Sequence, residues 1–175
     1  MPQEFEAKVL DINVKDIESR LKKIKAKKES EFLMKRWVFE MDSPRDEWIR
    51  LRHDGKKATI TYKHKKGSGI SETEEIEMEV EDFDQAAVIL SKLNFKDKYY
   101  QENKRKLFRI KDIEFAIDTW PKIPTYLEVE STSEKKVKLG LAMLNLENKD
   151  VGNLSVKDTY KRYGINIHDV KQLKF

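Results

Sequence analysis

The chain has 175 residues, and its 36 lysines and arginines against 32 aspartates and glutamates give a net charge of +4. It has no cysteine and three histidines, which excludes a disulfide scaffold, a thiolate-bound metal and a cysteine nucleophile and makes a histidine-rich metal site unexpected. The two charge signs are interspersed, so nucleic acid is not the expected partner, and no apolar run approaches the ~20 residues of a membrane helix. We therefore predict one cytoplasmic domain without membrane contact.

The first half of the chain is predicted to contain five strands and one helix. Residues from Glu4 to Leu10 alternate charged and apolar side chains, which is the pattern of a half-buried strand. Apolar residues at helical spacing predict an amphipathic helix over 14–27. Asp54-Gly55 between two alternating runs predicts a tight hairpin turn. The four remaining strands are expected at about 31–41, 47–53, 57–65 and 71–81.

The second half is predicted to contain three strands and three helices. Asp82 and Ser133 are expected to cap helices that run to about residues 93 and 146, and Ser155 to cap a short helix that ends near Tyr163. The strands are expected at about 96–110, 113–120 and 124–131. Roughly eight strands and four helices predict an α+β fold around an antiparallel sheet that is long enough to curl into a barrel. We expect the barrel over 1–131 and the C-terminal helices over 133–175.

The charged residues of the predicted strands are sorted by face and, apart from Lys8 beside Glu4 and Glu6, by sign. Successive strand side chains point to opposite sides, so each set of alternate charged residues shares a face. These sets are Glu4, Glu6 and Lys8; Arg50 and Arg52; Lys63 and Lys65; Glu75, Glu77 and Glu79; and Glu128 and Glu130. A solvated sheet face is the simpler interpretation, but it would mix the signs along each strand. If the sheet closes, the charged face becomes its interior, where unpaired charges cost several kcal/mol each. A wet tunnel that binds a polyanion together with a cation explains the pattern better.

These residue types are those used in phosphoryl or nucleotidyl transfer. Carboxylates two residues apart on a strand stand about 6.5–7 Å apart, so both can be directed at one ion. Mg²⁺ and Mn²⁺ prefer carboxylate and water oxygens, with phosphate oxygens completing the shell. Arginine offers phosphate a bidentate fork, and lysine offers a point charge. Neither glycine-rich phosphate-binding motif, GxxxxGK[ST] or GxGxxG, occurs in the sequence.

Glu4-Phe5-Glu6-Ala7-Lys8 resembles the ExExK signature of the CYTH superfamily, the triphosphate tunnel metalloenzymes. That family includes class IV adenylate cyclases, thiamine triphosphatases and inorganic tripolyphosphatases. Further residues follow in the family's order: Arg50, Arg52, Lys63, the glutamates of 75–79, Arg105, Asp118, Glu128 and Glu130. The segment 118–130 is most similar to the cyclase-type branch.

The resemblance implies a closed tunnel of eight antiparallel strands with a charged interior. It implies that Mg²⁺ or Mn²⁺ is held by Glu4, Glu6 and Glu130, and that Asp118 and Glu128 help them or hold a second ion. It assigns Arg50, Arg52, Lys63 and Arg105 to binding of the triphosphate. Glu75 and Glu77 are expected to pair with and orient these cations. Lys8 is expected to be the catalytic lysine that orients or activates the attacking oxygen.

Several alternatives stay open at the level of sequence. Many family members have a lysine two residues before the arginine of the sixth strand, where this chain has Asn103. The substrate is ATP, tripolyphosphate or thiamine triphosphate, and the reaction is cyclisation or hydrolysis. A non-catalytic module that binds polyphosphate is the alternative from another class. Trp37, Trp48 and Trp120 either stack on a substrate ring or pack at strand ends. A homodimer is compatible with the sequence.

Overall fold

The computed structural model describes residues 5–65 and 73–175, so Glu4 and the expected strand start at 71–72 lie outside the described residues. The helices are α1 (Val14–Lys23), α2 (Phe83–Ser91), α3 (Glu134–Met143) and α4 (Val156–Arg162). The strands are β1 (Phe5–Val9), β2 (Lys27–Glu40), β3 (Asp46–His53), β4 (Ala58–Lys65), β5 (Thr73–Val80), β6 (Asp97–Ile110), β7 (Ile113–Thr119), β8 (Tyr126–Ser131) and β9 (Gln172–Leu173). The predicted α+β class is confirmed.

The first and third helices end earlier than their apolar spacing predicts. Helix α1 ends at Lys23 rather than at 27, because Lys25 adopts a left-handed conformation (φ 60°) and Ala26 N–H donates to the Leu21 carbonyl. In the same way Asn145 (φ 52°) ends α3, and Leu146 N–H donates to the Leu141 carbonyl. This is the Schellman arrangement, which satisfies the last helical carbonyls. Strand β2 therefore begins at Lys27, before the expected residue 31.

The strands form a sheet in the hydrogen-bonded order β1-β8-β7-β6-β2-β3-β4-β5, and the short β9 pairs in parallel with β6. Over the described residues this order has two ends, β1 and β5, and no pairing closes it. The outer edge of β1 is partly covered by the segment that follows α3. There Lys8 N–H donates to the Gly152 carbonyl, and Val151 N–H donates to the Lys8 carbonyl. The strand pairing therefore supports an antiparallel sheet with helices.

The chain divides into two compact units. Unit 1 comprises Met1–Phe32 and Asn103–Ile167, and unit 2 comprises Leu33–Glu102 and His168–Phe175. The core of unit 1 lies between its strands and the helices α1 and α3, and it includes Val9, Ile17, Leu21, Phe115, Leu127, Val129 and Leu141. The core of unit 2 lies between β3 and α2, around Phe39, Leu51, Ala86 and Leu90. In both units the helices occupy the apolar face of the strands. No helix within 5–65 or 73–175 has the length and apolar character needed to span a membrane.

Close packing of α3 against the sheet depends on Gly140. A Cβ atom at this position would lie 2.8 Å from Val129 Cγ1 and 2.9 Å from Ile113 Cγ2. We expect Gly140→Ala to reduce the free energy of unfolding by about 1–3 kcal/mol, because overpacking outweighs the gain in helix propensity. Denaturant unfolding measures this loss. The neighbouring exposed residue provides the control, Leu139→Ala, which should have a small effect. Equal stability of Gly140→Ala and the wild type would contradict the packing.

Candidate functional site

The strand register places the charged residues of unit 1 on one face. Glu6 lies opposite Glu130, and Lys8 lies opposite Glu128. On the neighbouring strands β7 and β6, Asp118 lies opposite Arg105. Residues directly opposite in an antiparallel pair share a face, so these six side chains lie on the side away from the apolar core. The face-sharing that alternation predicted for β1 and β8 is confirmed.

Three carboxylates of this face form a compact group. Glu6, Glu128 and Glu130 each offer a carboxylate oxygen, and these oxygens lie within 4.8 Å of one another. Glu128 is buried, and the other two residues are half-buried. We call these residues the three-carboxylate group. Its donors are hard carboxylate oxygens, which fit Mg²⁺ or Mn²⁺.

Lys8 is the cation closest to two members of this group. Its Nζ lies 2.9 Å from Glu128 and 3.2 Å from Glu6. Burial disfavours a charged lysine here, but Glu128 and Glu6 outweigh it, so the pKa of Lys8 is raised. The ammonium is therefore held as a cation, an arrangement suited to orienting carboxylates rather than to accepting a proton.

Nearby cations neutralise the negative charges of Glu6 and Glu128 to different extents. Burial, followed by the charge of Glu128, raises the pKa of Glu6 despite the nearby Lys8. Burial also opposes the charge of Glu128, but Arg105 and Lys8 outweigh it and lower the pKa of Glu128. The negative charge on Glu6 is thus only partly neutralised by the protein. A divalent cation at the three-carboxylate group would relieve it.

Arg105 is held by carboxylates. Its Nε donates to Asp118 Oδ1 at 2.9 Å, and its Nη2 donates to Asp118 Oδ2 at 2.5 Å and to Glu128 Oε1 at 3.2 Å. Asp118 is fully buried and also accepts a hydrogen bond from Asn103 Nδ2 at 3.1 Å. Asp118 is not a member of the three-carboxylate group, and Arg105 occupies both of its oxygens. The geometry makes Asp118 the anchor of Arg105, and Asn103 supports that anchor.

Removing the charge of Asp118 should be costly for stability. Asp118→Asn leaves the Arg105 guanidinium with a single carboxylate partner in a largely buried setting, so we expect a loss of about 3 kcal/mol or more in the free energy of unfolding. Denaturant unfolding at neutral pH measures the loss. Asp112→Asn is the control, because Asp112 pairs with Lys136 at a half-exposed position and should contribute about 1 kcal/mol or less. Equal losses in the two variants would contradict the anchoring role.

Unit 2 carries a second charged face, built from β2, β3, β4 and β5. The register arranges it in three rows of residues that lie opposite one another: Glu40, Trp48, Lys63 and Glu75; Val38, Arg50, Thr61 and Glu77; and Arg36, Arg52, Thr59 and Glu79. The other face of the same strands carries apolar residues, among them Phe39 and Leu51 of the core.

The predicted phosphate-binding residues of unit 2 repel one another. Arg50, Arg52 and Lys63 form what we call the cation cluster. Burial, followed by the charge of Arg52, lowers the pKa of Arg50 to about 10. Burial, followed by the charge of Arg50, lowers the pKa of Lys63 although Glu75 lies 2.5 Å away. Within the described part of the chain, Arg50 Nε is buried without a hydrogen-bond partner. An anion bound here would offset these costs.

The glutamates of β5 contact the cation cluster and its surroundings. Glu75 accepts a hydrogen bond from Lys63. Glu77 accepts one from Thr61 Oγ1 at 2.7 Å and lies 3.9 Å from Arg50. These contacts place both residues where they can orient the cations.

The CYTH domain family model matches residues 2–160. The chain belongs to the CYTH domain family. A protein of Methanocaldococcus jannaschii, provisionally named an adenylate cyclase, is 35% identical over 88 residues, which is half of this CYTH chain and half of that protein.

Solved structures show the same fold. A Pyrococcus horikoshii protein covers 86% of this CYTH chain with 96% of its own length, at 24% identity and a TM-score of 0.68. A Hippeastrum protein, described as a provisional adenylyl cyclase with a dominant triphosphatase activity, covers 92% of the chain with 96% of its own length, at 15% identity and a TM-score of 0.59. The family model that matches residues 2–160 confirms the expected family membership.

The structure places four residues of this CYTH chain on which the sequence left alternatives open: Asn103 and the three tryptophans. Asn103, at the position where many family members have a lysine, shares the charged face with Arg105 and donates a hydrogen bond to Asp118. Among the tryptophans, Trp48 lies on the charged face in the row of Lys63. Trp37 instead packs against Phe39 and Tyr100 at centroid distances of 6.1 and 5.0 Å, and Trp120 is buried against Tyr160. Trp48 is therefore the tryptophan placed to meet a bound ligand.

Proposed function

We propose that this CYTH protein is a divalent-metal-dependent enzyme that acts on triphosphate substrates. The observation that carries the proposal is the three-carboxylate group, in which Glu6 keeps a poorly compensated negative charge. The cation cluster instead requires a negative charge, because burial and the neighbouring cations disfavour the positive charges of Arg50 and Lys63. One ligand class satisfies both: a polyphosphate with its divalent counter-ion. Family membership supports the same class.

The proposal includes the finer fold that the resemblance implies, a single domain whose eight antiparallel strands close into a tunnel with a charged interior. Two observations support it. The family model spans residues from both units, and in each unit the charged face lies opposite the helix-covered face. A cytoplasmic location and a homodimer remain predictions from the sequence.

Glu6, Glu128 and Glu130 are the residues proposed to hold Mg²⁺ or Mn²⁺. The resemblance implies two further metal ligands, Glu4 and Asp118. Glu4 lies outside the described residues, and Asp118 is bound to Arg105. When bound, the metal would neutralise negative charge on phosphate oxygens. Lys8 would keep Glu6 and Glu128 in place, as its contacts indicate. The cation cluster and Arg105 are the proposed phosphate ligands; Arg105 would act while anchored by Asp118.

Hydrolysis is the reaction that these residues support best, because it requires contacts to the polyphosphate alone. A water oxygen forms a bond to the terminal phosphorus, the bond from that phosphorus to the bridging oxygen breaks, and diphosphate, a nucleoside diphosphate or thiamine diphosphate leaves. The proton of the water passes to solvent. The cation cluster would hold the chain of phosphates in line and stabilise the charge on the leaving group.

Cyclisation of ATP is the second candidate, and the position of Trp48 favours it. In that reaction the ribose 3′-oxygen forms a bond to the α-phosphorus, the bond from that phosphorus to the oxygen bridging the α- and β-phosphates breaks, and pyrophosphate leaves. The hydroxyl proton passes to solvent. The enzyme must then hold the purine, and Trp48 presents an aromatic ring on the same face as Lys63. The provisional names of relatives point in the same direction.

Product analysis distinguishes the candidates. The protein is incubated with tripolyphosphate, ATP or thiamine triphosphate, each with Mg²⁺, with Mn²⁺ or with EDTA. Metal-dependent release of orthophosphate supports the hydrolase, and cyclic AMP with pyrophosphate supports the cyclase. Binding without turnover in every combination would favour the non-catalytic module and overturn the enzymatic proposal.

Substitution of Trp48 tests whether a ring of the substrate is recognised. We expect Trp48→Leu to raise KM for ATP or thiamine triphosphate by about 5- to 100-fold, which corresponds to loss of one stacking contact, and to change KM for tripolyphosphate little. Trp37→Leu is the matched control, because Trp37 packs on the apolar side. An equal rise of KM for all three substrates would show that Trp48 stabilises its strand and does not stack on a substrate ring.

A further inference from the structure

Arg36 belongs to the charged face of unit 2, although no motif selects it. Its Cα pairs with that of Arg52 across β2 and β3, so both guanidinium side chains lie on the face of the cation cluster. Arg36 is half-buried. The preceding residue, Lys35, is exposed and points to the other side of the strand.

The pairing of Arg36 with Arg52 places two positive charges opposite each other across β2 and β3. Like charges directly opposite in an antiparallel pair destabilise it, and the side chains of such a pair start about 4.5–5.5 Å apart. The acidic residue that ends this row, Glu79, is bound by Lys57. Arg52 makes no ion pair within the described ranges. The row therefore concentrates positive charge next to Arg50, whose own positive charge is already disfavoured by burial and by Arg52.

We propose that Arg36 is a fourth phosphate-binding cation of unit 2, working with Arg52 as a pair of forks on one polyphosphate. The inference rests on the proposed function and extends its binding residues to β2. Two planar guanidiniums side by side offer more donors than one arginine can, and an anion between them attracts both. The role is binding and positioning of the phosphates.

The test compares Arg36→Gln with Lys35→Gln, which removes the same charge from the adjacent residue on the other face. Inorganic tripolyphosphate with Mg²⁺ is titrated into each protein by calorimetry, and thermal unfolding is followed with and without it. We expect Arg36→Gln to raise Kd about 10-fold or more and to reduce the ligand-induced rise in Tm. Lys35→Gln should bind as the wild type does.

Arg36→Lys provides a second variant, which keeps the positive charge and removes the planar guanidinium that can donate two hydrogen bonds to one phosphate. An intermediate Kd for this variant supports bidentate binding. Equal Kd values for Arg36→Gln and Lys35→Gln, or a lower Tm of Arg36→Gln without ligand and an unchanged Kd, would overturn the inference while the proposed function stands. Failure of the wild type to bind tripolyphosphate would overturn the proposed function and this inference together.

Discussion

Glu6→Gln is expected to abolish metal-dependent turnover and to leave the fold intact. Loss of one carboxylate from the three-carboxylate group removes a ligand whose charge the metal requires, and a metal ion stabilises the transition state by several kcal/mol. We therefore expect kcat/KM to fall by about 100-fold or more. The metal-induced rise in Tm should disappear as well. Glu130→Gln should behave in the same way.

The pH dependence of stability gives this prediction a second readout. The folded-state pKa of Glu6 lies above its ordinary value of 4.5, so ionising this carboxylate costs the folded protein stability. That cost is fully present above the raised pKa and disappears as the pH falls below 4.5. At neutral pH without metal, Glu6→Gln should therefore be at least as stable as the wild type, and the difference should vanish in acid.

Glu114→Gln is the matched control for the carboxylate prediction. Glu114 lies opposite Glu130 in the same register, but its carboxylate pairs with Arg109 and is not part of the three-carboxylate group. It should retain metal-dependent turnover. Wild-type rates in both Glu6→Gln and Glu130→Gln would remove the metal assignment, and equal loss in Glu114→Gln would point to a general effect of charge.

Arg50→Gln is expected to weaken binding of the triphosphate more than any other single change in unit 2. A charge-assisted hydrogen bond to phosphate contributes about 1.5–3 kcal/mol, so Kd for tripolyphosphate should rise about 10- to 150-fold. Stability without ligand should not decrease, because burial and Arg52 already lower the pKa of Arg50 to about 10 and its charge is a cost to the folded protein. Calorimetric titration and thermal unfolding measure the two effects.

Arg45→Gln controls for the loss of one positive charge from the same unit. Arg45 is exposed just before β3, so its removal should change Kd by about 2-fold or less at physiological salt. Repeating the titrations at high salt separates direct contact from long-range attraction. A similar change in Kd for Arg45→Gln and Arg50→Gln would indicate that the protein attracts the ligand through net charge alone.

Local signals in the sequence were sufficient for most of the secondary structure. Asp82, Ser133 and Ser155 each accept a hydrogen bond from the backbone N–H three residues later, as the capping patterns predicted. The errors arose at helix ends, where apolar spacing continued past the last helical residue. A residue in the left-handed conformation follows each of these helix ends, Lys25 after α1 and Asn145 after α3. Of these two residue types only asparagine favours that conformation.

The site illustrates a different limit. Alternation along a strand indicates which residues share a face, and it does so without knowledge of the partner strands. It cannot indicate which residues lie opposite one another, because register is fixed by pairing. The sequence therefore predicted Arg105 as a phosphate ligand and Asp118 as a metal ligand, but it did not indicate that the two side chains bind each other. It passed over Arg36, whose significance depends on the residue opposite.

The sequence by itself determined the α+β class, the separation of charged and apolar faces and the family, because these depend on strand period and on residue order along the chain. Tertiary structure alone decided that Glu6, Glu128 and Glu130 meet within 4.8 Å, that Lys8 is held between two carboxylates and that two arginines share a row. Electrostatic interactions fall off over a few ångströms, so the charge state and the ligand preference of each group depend on neighbours that strand register supplies.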